Sequence, residues 1–202
     1  EEARHAWTRG IEPDKLVAAA KRAIVERVMR QQWRPGIRMI GDKTPVQYLV
    51  NARELHDMFP EAVLICCMRD GRDMAVSLAF HQLSHEYKPA YRDPAEFEQR
   101  HAYWIHGKGT QCPLFTPETL AAYSGEWEWC AQKAREANDI FGDRFVPVKY
   151  EDMLSNPIET LRSVLTKLGV DASVETVRSC VDINAFEKLT GRSPLRVPTP
   201  GF

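Results

Sequence analysis

No Cys-x-x-C pair occurs in this sequence, and its five cysteines (Cys66, Cys67, Cys112, Cys130, Cys180) are odd in number, with two adjacent. Zinc-ribbon and dithiol-redox motifs therefore fail at their first element. The set makes a poor disulfide framework and suits a reducing compartment. Asn-x-Ser/Thr sequons are also missing, and the two absences together lean toward a cytoplasmic protein. No apolar stretch approaches the roughly 20 residues a membrane helix needs. The start, Glu1-Glu2-Ala3-Arg4-His5, is polar and lacks a signal-peptide core. Neither sign of charge dominates: Lys and Arg number 27, Asp and Glu 28, for a net charge of -1. Bulk nucleic-acid binding therefore has no global electrostatic support. There is no Gly-x-Ser-x-Gly elbow for a serine hydrolase. His81 and His85 lie four apart, yet no His-Glu-x-x-His pattern or third ligand accompanies them, so no metal site is expected.

What is present is an ordinary globular composition. Apolar residues make up 44% of 202 and charged residues 27%, enough for one large domain with its own core. Val17, Ala20, Ile24 and Val28 fall at helical spacing and predict a helix ending before Arg34-Pro35-Gly36. Thr44-Pro45 predicts an N-cap with proline at the first helical position, leading a helix through Tyr48, Ala52, Leu55 and Phe59 to Pro60. Ala62 to Met68 is an unbroken apolar run, as in a strand buried on both faces. Cys66 and Cys67 read there as buried strand residues rather than nucleophiles. Charge arrives abruptly in Arg69-Asp70-Gly71-Arg72-Asp73, and a helical pattern resumes through Met74, Ser77, Leu78 and His81. Strand, polar turn and helix make the βα unit of an α/β fold.

Further on, residues 85–116 are irregular around a short helix near Glu96 to Ile105. Leu120, Tyr123, Trp127, Cys130, Ala134, Ala137 and Phe141 mark a long helix ended by Gly142-Asp143. Trp127 lies on its apolar stripe and is expected in the core, with Trp129 on the opposite side. Arg144 to Lys149 predicts a second strand, despite Pro147. Ile158, Leu161, Leu165 and Leu168 predict one more helix.

Three places can carry chemistry. The first is the carboxyl end of the first strand, where open α/β sheets deliver ligand-binding residues. Arg69 stands there, and a helix begins near Gly71. Free N–H groups, the positive helix end and a planar guanidinium together suit a phosphate, and Ser77 adds a hydroxyl two turns on. The alternative is that Arg69 pairs with a carboxylate such as Asp73. The second place is Gly41-Asp42-Lys43-Thr44-Pro45. There a carboxylate can take a proton from an attacking hydroxyl and an ammonium can neutralise developing charge. The alternative is a polar loop with Thr44 as the cap. The third is Lys149-Tyr150-Glu151-Asp152, where the tyrosine either flanks a base or covers the sheet edge.

Taken in order, Gly41-Asp42-Lys43-Thr44-Pro45, Phe59-Pro60-Glu61-Ala62, Arg69 through Ser77, and Tyr150-Glu151-Asp152-Met153 with Asn156-Pro157 resemble the sulfotransferases. The likeness runs from about Ile40 to Arg192, and the Arg69-to-Ser77 interval is its most specific part. It implies a helix-rich, three-layer αβα fold with a central parallel sheet, of the kind related to P-loop NTPases. It also implies transfer of a sulfuryl group from 3′-phosphoadenosine 5′-phosphosulfate (PAPS) to a hydroxyl or amine acceptor, without a metal, leaving adenosine 3′,5′-bisphosphate. By the same resemblance, Arg69 and Ser77 grip the 3′-phosphate, while Tyr150 and Phe186 lie by the adenine. Asp42 is the candidate general base, and Lys43 lies near the sulfuryl group or the acceptor.

The sequence also departs from that family. The glycine-rich loop resembling Pro-Arg-Ser-Gly-Thr-Thr and the Arg-Lys-Gly segment near the C-terminus are not found. Residues 1–202 are therefore expected to form a single sulfotransferase domain, incomplete at both ends. The rival readings are a non-catalytic scaffold keeping the 3′-phosphate half-site, or a nucleotide-kinase-like enzyme. The latter is disfavoured because no Gly-x-x-x-x-Gly-Lys-Ser/Thr occurs.

Overall fold

The computed structural model describes residues 12–44, 46–85, 93–185 and 188. The chain is helix-rich, with a small parallel sheet, the α/β class expected from the sequence. It forms two compact units. One is Gly71–Phe145 with the described residues up to Leu64; the other is Ile65–Asp70 with the described residues from Val146 onward.

The first unit opens with α1 (Pro13–Met29). Pro13 supplies the pre-set φ of a first helical residue, and Asp14 meets the positive helix end. The helix is where the spacing put it, but its apolar stripe is open: Ile24 is 67% and Val28 60% exposed. Polar contacts tie α1 to α3 (Ala52–Met58) instead. Arg22 donates to the Met58 carbonyl at 3.0 Å and pairs with Glu61, and Lys21 pairs with Glu54.

The helix expected from Thr44 to Phe59 is broken in two. α2 (Gln47–Val50) and α3 meet at Asn51, whose side-chain amide donates to the Gln47 carbonyl at 2.9 Å. The Asn51 backbone N–H donates to the same carbonyl at 3.0 Å. The cap position is Val46, not Thr44, and the Thr44 hydroxyl donates to Asp42.

Helices α4 (Gly71–Ser84), α5 (Pro94–Trp104) and α6 (Pro117–Phe141) complete this unit. Asp93 caps α5 by accepting from the Ala95 N–H at 2.8 Å. Thr116 and Thr119 cap α6 reciprocally: the Thr119 N–H donates to Thr116 Oγ1 at 3.0 Å, and the Thr116 N–H donates to Thr119 Oγ1 at 2.8 Å. The core lies where α4 meets α6. Ala75 and Ala79 pack on Tyr123, which is 1% exposed and donates its hydroxyl to Gln82 Oε1 at 2.8 Å.

The second unit holds the sheet. β1 (Leu64–Met68) pairs in parallel with β2 (Phe145–Lys149), with the first residue of each, Leu64 and Phe145, falling to the first unit. β1 is not closed on both faces. Cys66 is buried, but Ile65 and Cys67 are exposed, so the apolar run alternates like a one-sided strand. Pro147 sits at an outward position of β2, which explains how a proline is tolerated there. α7 (Tyr150–Ser155) follows β2 directly. α8 (Pro157–Lys167) packs on α9 (Val174–Ile183), with Val164 and Val177 buried.

Candidate functional site

Parallel pairing brings the carboxyl ends of β1 and β2 side by side. Arg69 is the residue after β1, and Tyr150 is the residue after β2. The pairing therefore joins two side chains 81 positions apart in sequence: the Arg69 guanidinium lies 4.6 Å from the centre of the Tyr150 ring. A cation so placed is held by the ring's negative face. Its donor edge is a planar fork of the shape that meets a phosphate. Tyr150 is 41% exposed and presents an aromatic surface at the same spot.

A carboxylate completes this cluster. The Asp70 N–H donates to Glu151 Oε1 at 2.8 Å. That bond, more than any other influence, holds the Glu151 carboxyl below the usual carboxylate range, and the Arg69 charge acts in the same direction. The turn after β1 is thus latched to the first turn of α7. The strand ends build a cation over an aromatic ring, with Glu151 as a nearby acid.

Ser77 lies on α4 in the first unit and is exposed. It falls two residues beyond Ala75, about 200° round the helix from the face packed on α6. Gly71, the first residue of α4, lies against Trp127 of α6. Trp127 is 39% exposed rather than buried in the core as its place on the stripe predicted.

Asp42 and Lys43 lie in the loop before α2, also in the first unit. Thr44 Oγ1 donates to Asp42 Oδ2 at 2.6 Å, and the Tyr48 hydroxyl donates to the same oxygen. These bonds, with a smaller one from the Lys43 N–H, push the Asp42 carboxyl below its ordinary value. Asp42 in turn pushes the Tyr48 phenol up, so the proton stays on the tyrosine. Val46, next in this stretch, has φ +64°, a conformation a β-branched residue rarely adopts. Lys43 is exposed. Phe186 lies outside the described residues.

A family model described as the sulfotransferase family matches residues 2–174. The chain belongs to the sulfotransferase family. Sulfuryl transfer is the activity of that family in general. The matched span holds Asp42, Lys43, Arg69, Ser77 and Tyr150 and ends before Phe186. No curated protein and no solved structure matches this sulfotransferase. Among its described residues, no three of His, Cys, Asp and Glu gather to hold a metal ion. The rings of His81 and His85 lie with centres 4.3 Å apart and are tilted by 37°.

Sequence reasoning missed Tyr48 and misjudged Trp127. In the sequence Tyr48 reads only as part of a helical face. Its place six residues after Asp42 carries no signal unless the loop is known to fold back. For Trp127 a signal existed: Gly71 directly after Arg69-Asp70 marks a close approach by some other group.

Proposed function

We propose that this sulfotransferase takes its sulfuryl group from PAPS and delivers it to a hydroxyl or amine acceptor. The observation that carries the reading is the Arg69 guanidinium held over the Tyr150 ring at the ends of the parallel strands. A phosphate-binding cation beside an exposed aromatic surface fits a phosphorylated nucleoside, and the start of α4 follows two residues later in the chain. When bound, PAPS supplies the sulfuryl group for in-line displacement.

In this reading Arg69 donates two parallel N–H bonds to the 3′-phosphate, and the exposed Ser77 hydroxyl adds a third. Tyr150 offers its ring to the adenine, and Phe186 is assigned the same task. Asp42 accepts the proton of the acceptor hydroxyl. Its depressed pKa keeps it ionised at neutral pH but makes it a weak base. It therefore orients the hydroxyl first and takes the proton late, as the attacking oxygen turns acidic. Lys43 places an ammonium where negative charge develops. Positioning and electrostatics supply most of the catalysis, as in phosphoryl transfer.

The test is calorimetry with adenosine 3′,5′-bisphosphate and with AMP. Arg69→Ala is expected to weaken the bisphosphate by about tenfold to a hundredfold, the worth of one or two charge-assisted bonds, and to leave AMP nearly unchanged. Equal losses for both ligands would remove the 3′-phosphate assignment. Bisphosphate binding without turnover on any hydroxyl or amine acceptor would instead identify a non-catalytic member that keeps only the half-site.

A further inference from the structure

The start of α4 is set by an aromatic side chain. A Cβ on Gly71 would lie 3.0 Å from Trp127 Cδ2 and 3.2 Å from both Cγ and Cε2. Those three atoms belong to the middle of the indole, so Gly71 faces the flat of the ring. Gly71 is not among the glycines at positive φ, so its backbone conformation is open to any residue. What crowds a side chain there is Trp127, whose indole would have to give by a few tenths of an ångström.

The contact continues a pattern. Gly71, Ala75 and Ala79 recur at intervals of four and form one ridge of α4. Tyr123 and Trp127 recur at the same interval on α6. Tyr123 takes Ala75 and Ala79 and is locked by its bond to Gln82. Trp127 takes Gly71 at the end of the ridge where the helix begins. Tyr123 is buried and serves the core, whereas Trp127 is 39% exposed. Its placement is better explained by what it touches than by what it buries.

We propose that Trp127 is a positioning residue for phosphate binding. Its indole face is the stop against which the first turn of α4 is set. That turn is bonded through Asp70 directly to Arg69, and the same helix carries Ser77 on its opposite face. A tilt or slide of the helix start therefore moves Ser77, one of the groups assigned to the 3′-phosphate. The proposal rests on the reading of Arg69 and Ser77 given above, and it predicts an effect on phosphate discrimination rather than on folding alone.

The experiment compares bisphosphate and AMP affinities, with thermal midpoints, for wild type, Trp127→Ala, Trp127→Phe, Gly71→Val, Gly71→Val/Trp127→Ala and Arg69→Ala. Trp127→Ala is expected to cut the preference for the bisphosphate about tenfold, as for loss of one charge-assisted bond. Trp127→Phe keeps a flat ring at the contact and should stay within about twofold of wild type. Gly71→Val pushes the helix start off the indole and should cost as much as Trp127→Ala. In the double variant the valine takes the vacated space, so the two losses should fall short of additive. A lower thermal midpoint with unchanged preference in both Trp127→Ala and Gly71→Val would show a merely structural role and overturn the proposal. An unchanged preference in Arg69→Ala would remove the underlying 3′-phosphate reading, and the proposal with it.

Discussion

At the residue scale, Asp42 shows how a local bond decides what a carboxylate can do. Its Oδ2 receives two hydroxyl donors, from Thr44 and Tyr48, and both favour the ionised form. Thr44 does not take the capping role its sequence position suggested, and the next helix starts from Val46 instead. Tyr48→Phe removes one donor and leaves the ring. The titration of Asp42 is then expected to move upward, toward its ordinary value of 3.8. Carbon NMR of the labelled carboxylate reads this directly. A titration identical to wild type would mean that the phenol does not hold the carboxylate in solution.

At the element scale, α4 and α6 are joined by small residues on one helix and aromatics on the other. The buried polar pair within that joint makes it specific. Tyr123 donates to Gln82, and both are buried, so Tyr123→Phe strands the Gln82 carbonyl without that donor. The expected cost is about 1–3 kcal/mol, read as a lower urea midpoint at unchanged slope. A loss near zero would mean that water or another group takes the tyrosine's place. Elements of this kind were also the most legible in the sequence. The run from Leu120 to Phe141 keeps its period for six turns, and α6 spans Pro117–Phe141. The polar turn after an apolar run placed Arg69 correctly at the strand end. The break at Asn51 was not legible, because the apolar period runs through it intact. The open face of β1 was hidden for a different reason. An unbroken apolar run does not say which of its faces another element will cover, and Ile65 and Cys67 are left outside. The pairing of Arg69 with Tyr150 needed the strand order, which no local pattern contains.

At the scale of the whole molecule, the chain's near-neutral balance conceals a one-sided dependence on ionised carboxylates. Asp42, Glu61 and Glu136 in the first unit, and Glu151 and Asp171 in the second, are all held below their ordinary values. The partners differ. Arg22 holds Glu61, Lys133 holds Glu136, the Asp70 N–H holds Glu151, and Thr176 with Ser173 holds Asp171 at the start of α9. The sign is the same for every one. A group whose folded pKa is depressed adds stability that is complete above its unfolded value, 3.8 for Asp and 4.5 for Glu, and is lost as pH falls through the folded value. Both units therefore weaken in one acid window. The thermal midpoint should be flat from about pH 7 to about pH 5.5 and drop progressively below about pH 4.5. Glu61→Gln and Asp171→Asn, one in each unit, should lower the midpoint at neutral pH and flatten the acid slope. Calorimetric scans across that range give both readings. A midpoint already falling between about pH 7 and 5.5 would place the sensitivity on histidine instead, since no carboxylate in this set titrates there.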